Sequence, residues 1–222
     1  RLFVYGDLFL DATGDGFVAA AAGCETMKGT EGRSLWKEPH APEESSGATM
    51  GNSLHFKTVD TGLRSSFAPP PWAKRLRDPS FFYGSGRTPN DPRGGFWWIE
   101  LGTPDDTIYD NPKLREELTA YVLGIWDWMK NGDPKMVKST ENRALDWIGS
   151  VLGTRESRRV IGDTIVTERE VQVLHRWPDE VAYGGWFLDL HTPGGLIAEH
   201  SEANSASNYD PFTKRAALGY VG

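Results

Sequence analysis

A chain of 222 residues with 38% hydrophobic and 25% charged positions is long enough to bury a core, and no apolar run in it approaches the roughly 20 residues that span a bilayer. Its net charge of −7 argues against nucleic acid as a main partner, because a surface that reads a phosphate backbone is basic. The single cysteine, Cys24, excludes an intrachain disulfide, a four-cysteine zinc site and an iron–sulfur cluster held by these residues alone.

Two short apolar pieces, Leu2 to Tyr5 and Leu8 to Leu10, flank Gly6-Asp7 and predict a hairpin or a bent pair of strands. They lead into Asp11-Ala12-Thr13-Gly14-Asp15-Gly16 and then into an alanine-rich helix that closes at Gly23. The glycines permit a sharp turn and close approach of a ligand. Asp11, Thr13, Asp15 and Gly16 match the first, third, fifth and sixth positions of an EF-hand-type calcium loop, but the twelfth, which must be a bidentate acid, is Ala22. A nucleotide cofactor resting on the turn is a second reading, and a plain strand-to-helix connection is a third.

Residues 25–49 show no clear period and predict a long connection. Over Ser53 to Asp60, Leu54, Phe56 and Thr58 alternate with His55, Lys57 and Val59 as in a strand, closed by Gly62. Pro69-Pro70-Pro71-Trp72 predicts a rigid extended segment carrying an exposed ring, and 77–94 another loop. Gly95 to Gly102 reads as a compact aromatic strand bounded by glycines.

The clearest helix follows, with Asn111 as cap, Pro112 in the first turn, and Leu114, Leu118, Tyr121, Val122, Ile125 and Met129 at helical spacing up to Gly132. Ala144 to Leu152 predicts a buried strand with Asp146 inside it, and Thr167 with Glu170 a capping box. Val181 to Leu190 predicts a last strand that ends at His191, and no strong period follows Leu196. The alternation is too irregular for a simple doubly wound sheet, so the expected class is α+β, one sheet-rich domain with an inserted long helix.

Arg155, Arg158 and Arg159 form a cationic knot in an acidic chain; guanidinium groups bind anionic substrates in a fork, or the knot is a set of ion pairs with Asp146, Glu156 and Asp163. His191, at a strand end, is the best general acid/base candidate, although a lone histidine is more often structural. His40, His55, His175 and His200 show no metal-ligand spacing, and no metal site is expected. Nine tryptophans support a reading from another class, a carbohydrate-binding or interaction surface on Trp72, Trp97, Trp98, Trp147 and Trp186.

Taken in order, Leu10 to Gly23, Thr49 to Leu54, Gly94 to Gly102, Asp106 to Asn131, Ala144 to Asp163 and Tyr183 to His191 resemble the FAD-dependent oxidoreductases of the glutathione-reductase-like fold. The resemblance implies a Rossmann-like FAD-binding domain with an inserted mixed-sheet substrate domain, and FAD contacts at Ala12, Thr13, Gly14 and Asp15. It implies hydride transfer between flavin and a small-molecule substrate, anionic or sugar-like, with His191, Arg155, Arg158 and Arg159 on the flavin-facing or substrate-facing wall. The family's Gly-x-Gly-x-x-Gly phosphate loop is absent and the chain opens on Arg1, so an internal fragment is expected. Its expected parts are 1–23 as a remnant of the FAD domain, 24–190 as the substrate or cap domain and 191–222 as a truncated return segment. A fragment of this kind is not expected to retain FAD tightly by itself.

Overall fold

The computed structural model describes residues 2–155, 157–180, 182–186, 191–200 and 217–221. Along them run α1 (Phe17–Ala21), β1 (Thr26–Lys28), α2 (Arg33–Trp36), β2 (Asn52–Ser53), β3 (Phe56–Asp60), β4 (Glu100–Leu101) and α3 (Asn111–Asp127). Then come α4 (Val137–Thr140), β5 (Arg143–Ile148), β6 (Arg158–Val160), α5 (Glu168–Gln172), β7 (Ala182–Trp186) and β8 (Ala217–Val221). The strands form small antiparallel ladders, β1 with β6, β2 with β4, β3 with β5 and β7 with β8, which makes the fold a mixed α/β one. Parallel pairing, the mark of a Rossmann-like sheet, does not occur among the described residues.

The amphipathic stripe of α3 organises the core. Leu114, Leu118, Val122, Ile125 and Met129 are fully buried, and the α-helix passes at Trp128 into a wider π-helical turn that ends at Gly132. Trp126 is fully buried, and Phe82 stacks on Trp128 at 5.0 Å. Truncating one of these leucines to alanine costs about 2–5 kcal/mol, because the hole left behind cannot fully collapse. Asp110, not Asn111, takes the N-cap position; Asn111 is the first helical residue and its side chain accepts from Asn52 at 2.7 Å.

The alternation at residues 54–59 survives in three dimensions, with Leu54, Phe56 and Thr58 buried and Lys57 and Val59 exposed. Its partner β5 departs from expectation: it ends at Ile148 and is half-exposed, with Trp147 outside against Lys57. A two-stranded ladder has one face for the core and one for water, so an apolar-looking run need not be buried on both. The aromatic strand expected at 95–102 shrinks to Glu100–Leu101, because residues 96–99 turn back on themselves through bonds from Ile99 N to Phe96 O and Glu100 N to Trp98 O. That turn buries Phe96 and Ile99 and leaves Trp97 exposed.

The pieces Leu2 to Tyr5 and Leu8 to Leu10 are not strands; they find no ladder partner among the described residues, and their side chains are exposed. The connection at 25–49 holds more order than its composition suggests, including β1 and α2. The helix after Gly16 and the capping box at Thr167 form as expected. Of the last predicted strand, Ala182–Trp186 pairs with β8, while Val181 and residues 187–190 lie outside the described residues. Among the described residues no helix is long and apolar enough to cross a membrane.

Candidate functional site

The glycine turn is built by its own side chains. Asp11 Oδ1 accepts from the backbone and hydroxyl of Thr13, at 2.9 and 2.7 Å, and Oδ2 accepts from Ala19 N at 2.9 Å. Thr13 Oγ1 in turn accepts from Phe17 N, so the first turn of α1 is capped by residues eight and four positions upstream. The Ala19 amide above all, then that of Thr13, holds the Asp11 carboxyl at about 2, below its ordinary value of 3.8. Gly14 and Gly16 both take left-handed backbone, at φ 86° and 59°, which a side chain rarely adopts. Ala12, Thr13 and Gly14 stay exposed, whereas Asp15 is buried and accepts a hydrogen bond from Ser157.

The three arginines do not form one wall. Successive residues of a strand face opposite ways, so β6 sends Arg158 and Arg159 to different neighbours. Arg158 Nε donates to the backbone oxygen of Asp15 at 2.7 Å, and its guanidinium lies 5.1 Å from the centre of the Phe17 ring. Arg159 donates to Gly29 O and forms an ion pair with Glu31 at 2.9 Å. It borders a cavity of about 250 Å³ with Trp36 and Ile165. Glu31 is thus an ion-pair partner of Arg159 that the sequence reading did not name, and Glu156, one of the expected partners, lies outside the described residues.

Arg155 goes elsewhere, to Glu100. This glutamate is 1% exposed; its carboxylate lies 3.1 Å from Arg155 Nη2, and both of its oxygens lie 3.1 Å from His191 Nδ1. A carboxylate can only accept, so Nδ1 carries the hydrogen and Nε2 keeps the basic lone pair. Arg155 Nη1 stands 3.4 Å from that Nε2, and Nη2 donates to Ser53 Oγ at 2.8 Å. Trp97 leans over the group, its ring 5.5 Å from the guanidinium carbon and 4.1 Å from the His55 ring. Burial, and then the charge of Arg155, lower the pKa of His55. Gly195 closes the floor: at φ 54°, a Cβ there would stand 2.2 Å from the backbone oxygen of Glu100.

The structure therefore brings His191 and Arg155 together and assigns Arg158 to the glycine turn. Glu100, Ser53, His55 and Ser157 were not singled out by sequence reasoning. Glu100 carried a signal, as the lone acid inside the apolar run Phe96 to Leu101. The tryptophans are divided as well: Trp72 is exposed on its proline-rich segment, Trp98 stacks on the core ring Phe96 at 5.2 Å, and the side chain of Trp186 lies outside what is described. A cleft of about 760 Å³ between Arg75, Arg77, Arg87 and His200 contains none of the expected site residues. Among the described residues no three His, Cys, Asp or Glu side chains gather as a metal site would require.

Comparison with known proteins gave one family match, to the FAD dependent oxidoreductases, over residues 1–213. No curated protein and no solved structure matched. With a match across nearly the whole chain, and a cofactor class that goes with it, this protein belongs to the FAD-dependent oxidoreductase family.

Proposed function

We propose that the chain carries a FAD contact at its glycine turn and an acid–base site at Glu100, His191 and Arg155, and that it oxidises or reduces a small anionic substrate. The observation that carries this reading is the pairing of the buried Glu100 with the partly buried His191, with a guanidinium beside it, inside a chain of a flavin-dependent family.

The glycine turn fits the cofactor chemically. Asp11 and Thr13 spend their side chains on α1, so the turn presents the small, exposed surface of Ala12, Thr13 and Gly14, and a Cβ on Gly14 would meet nothing within 4 Å. Asp15 ties the turn to the β6 segment from beneath. Arg158 keeps a buried Nη2 for which no hydrogen-bond partner exists among the described residues, a donor suited to a carbonyl or anionic edge of the cofactor. When bound, FAD supplies the two-electron redox capacity. In this reading residues 1–23 are the FAD side, of the Rossmann-like, glutathione-reductase-like type, residues 24–190 the substrate side and 191–222 the return toward FAD.

Glu100 holds His191 in one tautomer and stabilises the imidazolium that forms when Nε2 takes a proton. With the substrate hydroxyl taking the place of the long 3.4 Å contact from Arg155 Nη1 at Nε2, His191 removes the proton that this hydroxyl loses as its carbon is oxidised, and returns one in the reverse direction. Arg155 offsets negative charge that develops on the substrate oxygen. Burial of Glu100 keeps water from competing for these bonds.

With FAD added, the protein should show oxidised-flavin absorption bands that bleach on reduction. Ala12→Phe should weaken the binding of added flavin at least about tenfold by covering the exposed face of the turn, with an unchanged thermal midpoint, because Ala12 is exposed. A folded, colourless protein that takes up no added FAD would overturn the reading.

A further inference from the structure

Among the described residues, two buried polar atoms near the Glu100–His191 pair have no hydrogen-bond partner: His55 Nε2 and Arg155 Nε. A donor that is dry and unpaired is costly, and a native site keeps one where a ligand or a movement will satisfy it. Both groups rest against one ring. The His55 ring meets the Trp97 indole edge-on at 4.1 Å, and the Arg155 guanidinium carbon is 5.5 Å from the centre of the same indole. Trp97 is itself 61% exposed, so the covering group stands between these atoms and the solvent.

The position of that indole is a consequence of the turn at residues 96–99. Phe96 and Ile99 anchor it in the core, and Trp97 projects outward between them without a place in a strand. A rotation of one side chain would uncover both nitrogens while the backbone stays in place.

Charge and donor geometry select the ligand. Arg155 spends Nη1 and Nη2 on His191, Ser53 and Glu100, which leaves the Nε edge. His55, held neutral by burial and by the neighbouring guanidinium, offers a ring nitrogen without adding charge. One N–H on each of two residues matches the two oxygens of a carboxylate, whereas a phosphate brings further oxygens for which the two nitrogens offer no donor. The indole supplies a flat apolar wall for the rest of the molecule.

We propose that Arg155 Nε and His55 Nε2 form a carboxylate-binding subsite beside the Glu100–His191 pair, with the Trp97 indole as its movable cover. The subsite rests on the reading of that pair as the acid–base centre of the oxidoreductase. A carboxylate held there brings the adjoining carbon next to His191, because Arg155 touches both.

Benzoate is the probe, with benzyl alcohol and inorganic phosphate as controls, and the imidazole nitrogen resonances of the flavin-loaded protein as the readout. Benzoate should shift the His55 resonances saturably, and neither control should do so. His55→Phe should weaken benzoate binding, read at His191, about tenfold, and His55→Gln, which keeps a hydrogen-bonding arm, should restore most of it. Trp97→Ala should raise the rate at which diethyl pyrocarbonate modifies His55, with benzoate protecting it. An unmoved His55, an equal response to phosphate, or an unchanged modification rate in Trp97→Ala would overturn the proposal. Flavin absorption in the same samples separates the two readings: flavin retained without a benzoate response sinks the subsite alone, and flavin never bound sinks the oxidoreductase reading.

Discussion

Asp11 and Glu100 are both carboxylates held in place, but Asp11 takes hydrogen bonds from the amides of Thr13 and Ala19, whereas Glu100 faces the side chains of Arg155 and His191. A backbone amide is far too weak an acid to give up its hydrogen in a reaction near neutral pH, so the bonds on Asp11 only fix a shape. An imidazole hydrogen can move, so the bond between Glu100 and His191 can take part in chemistry. The two regions are joined by one short segment, since Arg155 reaches Glu100 while Ser157 and Arg158 reach the glycine turn. The molecule thus places a rigid turn and a proton-bearing site at the two ends of the stretch from 155 to 158.

This contrast can be broken by experiment, most severely at Glu100. Glu100→Ala leaves a partly buried guanidinium and a partly buried imidazole without their carboxylate and should cost about 3 kcal/mol, read from urea unfolding. Glu100→Gln keeps the volume and should cost clearly less, while slowing substrate-dependent flavin reduction about 10²–10⁴-fold. A Glu100→Ala protein as stable as the parent would place the site outside the folded core.

A middle-sized effect is expected at the other end of the segment. Arg158→Met should weaken flavin binding about tenfold and leave the His191 ring resonances unmoved. A shift at His191 of the size seen in Glu100→Gln would show that the two regions are one.

The smallest effect concerns acid. The folded pKa of Asp11, about 2, lies below the ordinary 3.8, so the charged form is favoured in the folded state. Its contribution is complete above 3.8 and lost as pH falls from there through about 2. The Ala19 amide resonance should follow that window, with α1 loosening while the α3 core persists. Loosening that begins near neutral pH would contradict the backbone-held reading.

The α3 stripe, the Gly14–Gly16 turn, the helix that follows it and the capping box at Thr167 are legible in the sequence, because each is made of residues within about a turn or two of one another. The early apolar pieces differ from expectation for a related reason: Leu2 to Tyr5 has the composition of a strand, but a strand exists only with a partner. Residues 95–102 look like a strand by composition and turn at 96–99 because Phe96 and Ile99 are both drawn to the core.

The sequence by itself determined the cofactor family, the principal helix and the identity of two of the residues, Arg155 and His191, that meet at Glu100. Only the tertiary structure decided that His191 meets Glu100 across 91 positions, that Arg155 meets His191 across 36, and that Asp15 meets Ser157 across 142. Periodicity and capping act over a few residues and leave a mark in the order of side chains. Contacts over such spans are set by how β2, β4 and Gly195 pack around Glu100, a result distributed over the whole core and written in no single motif.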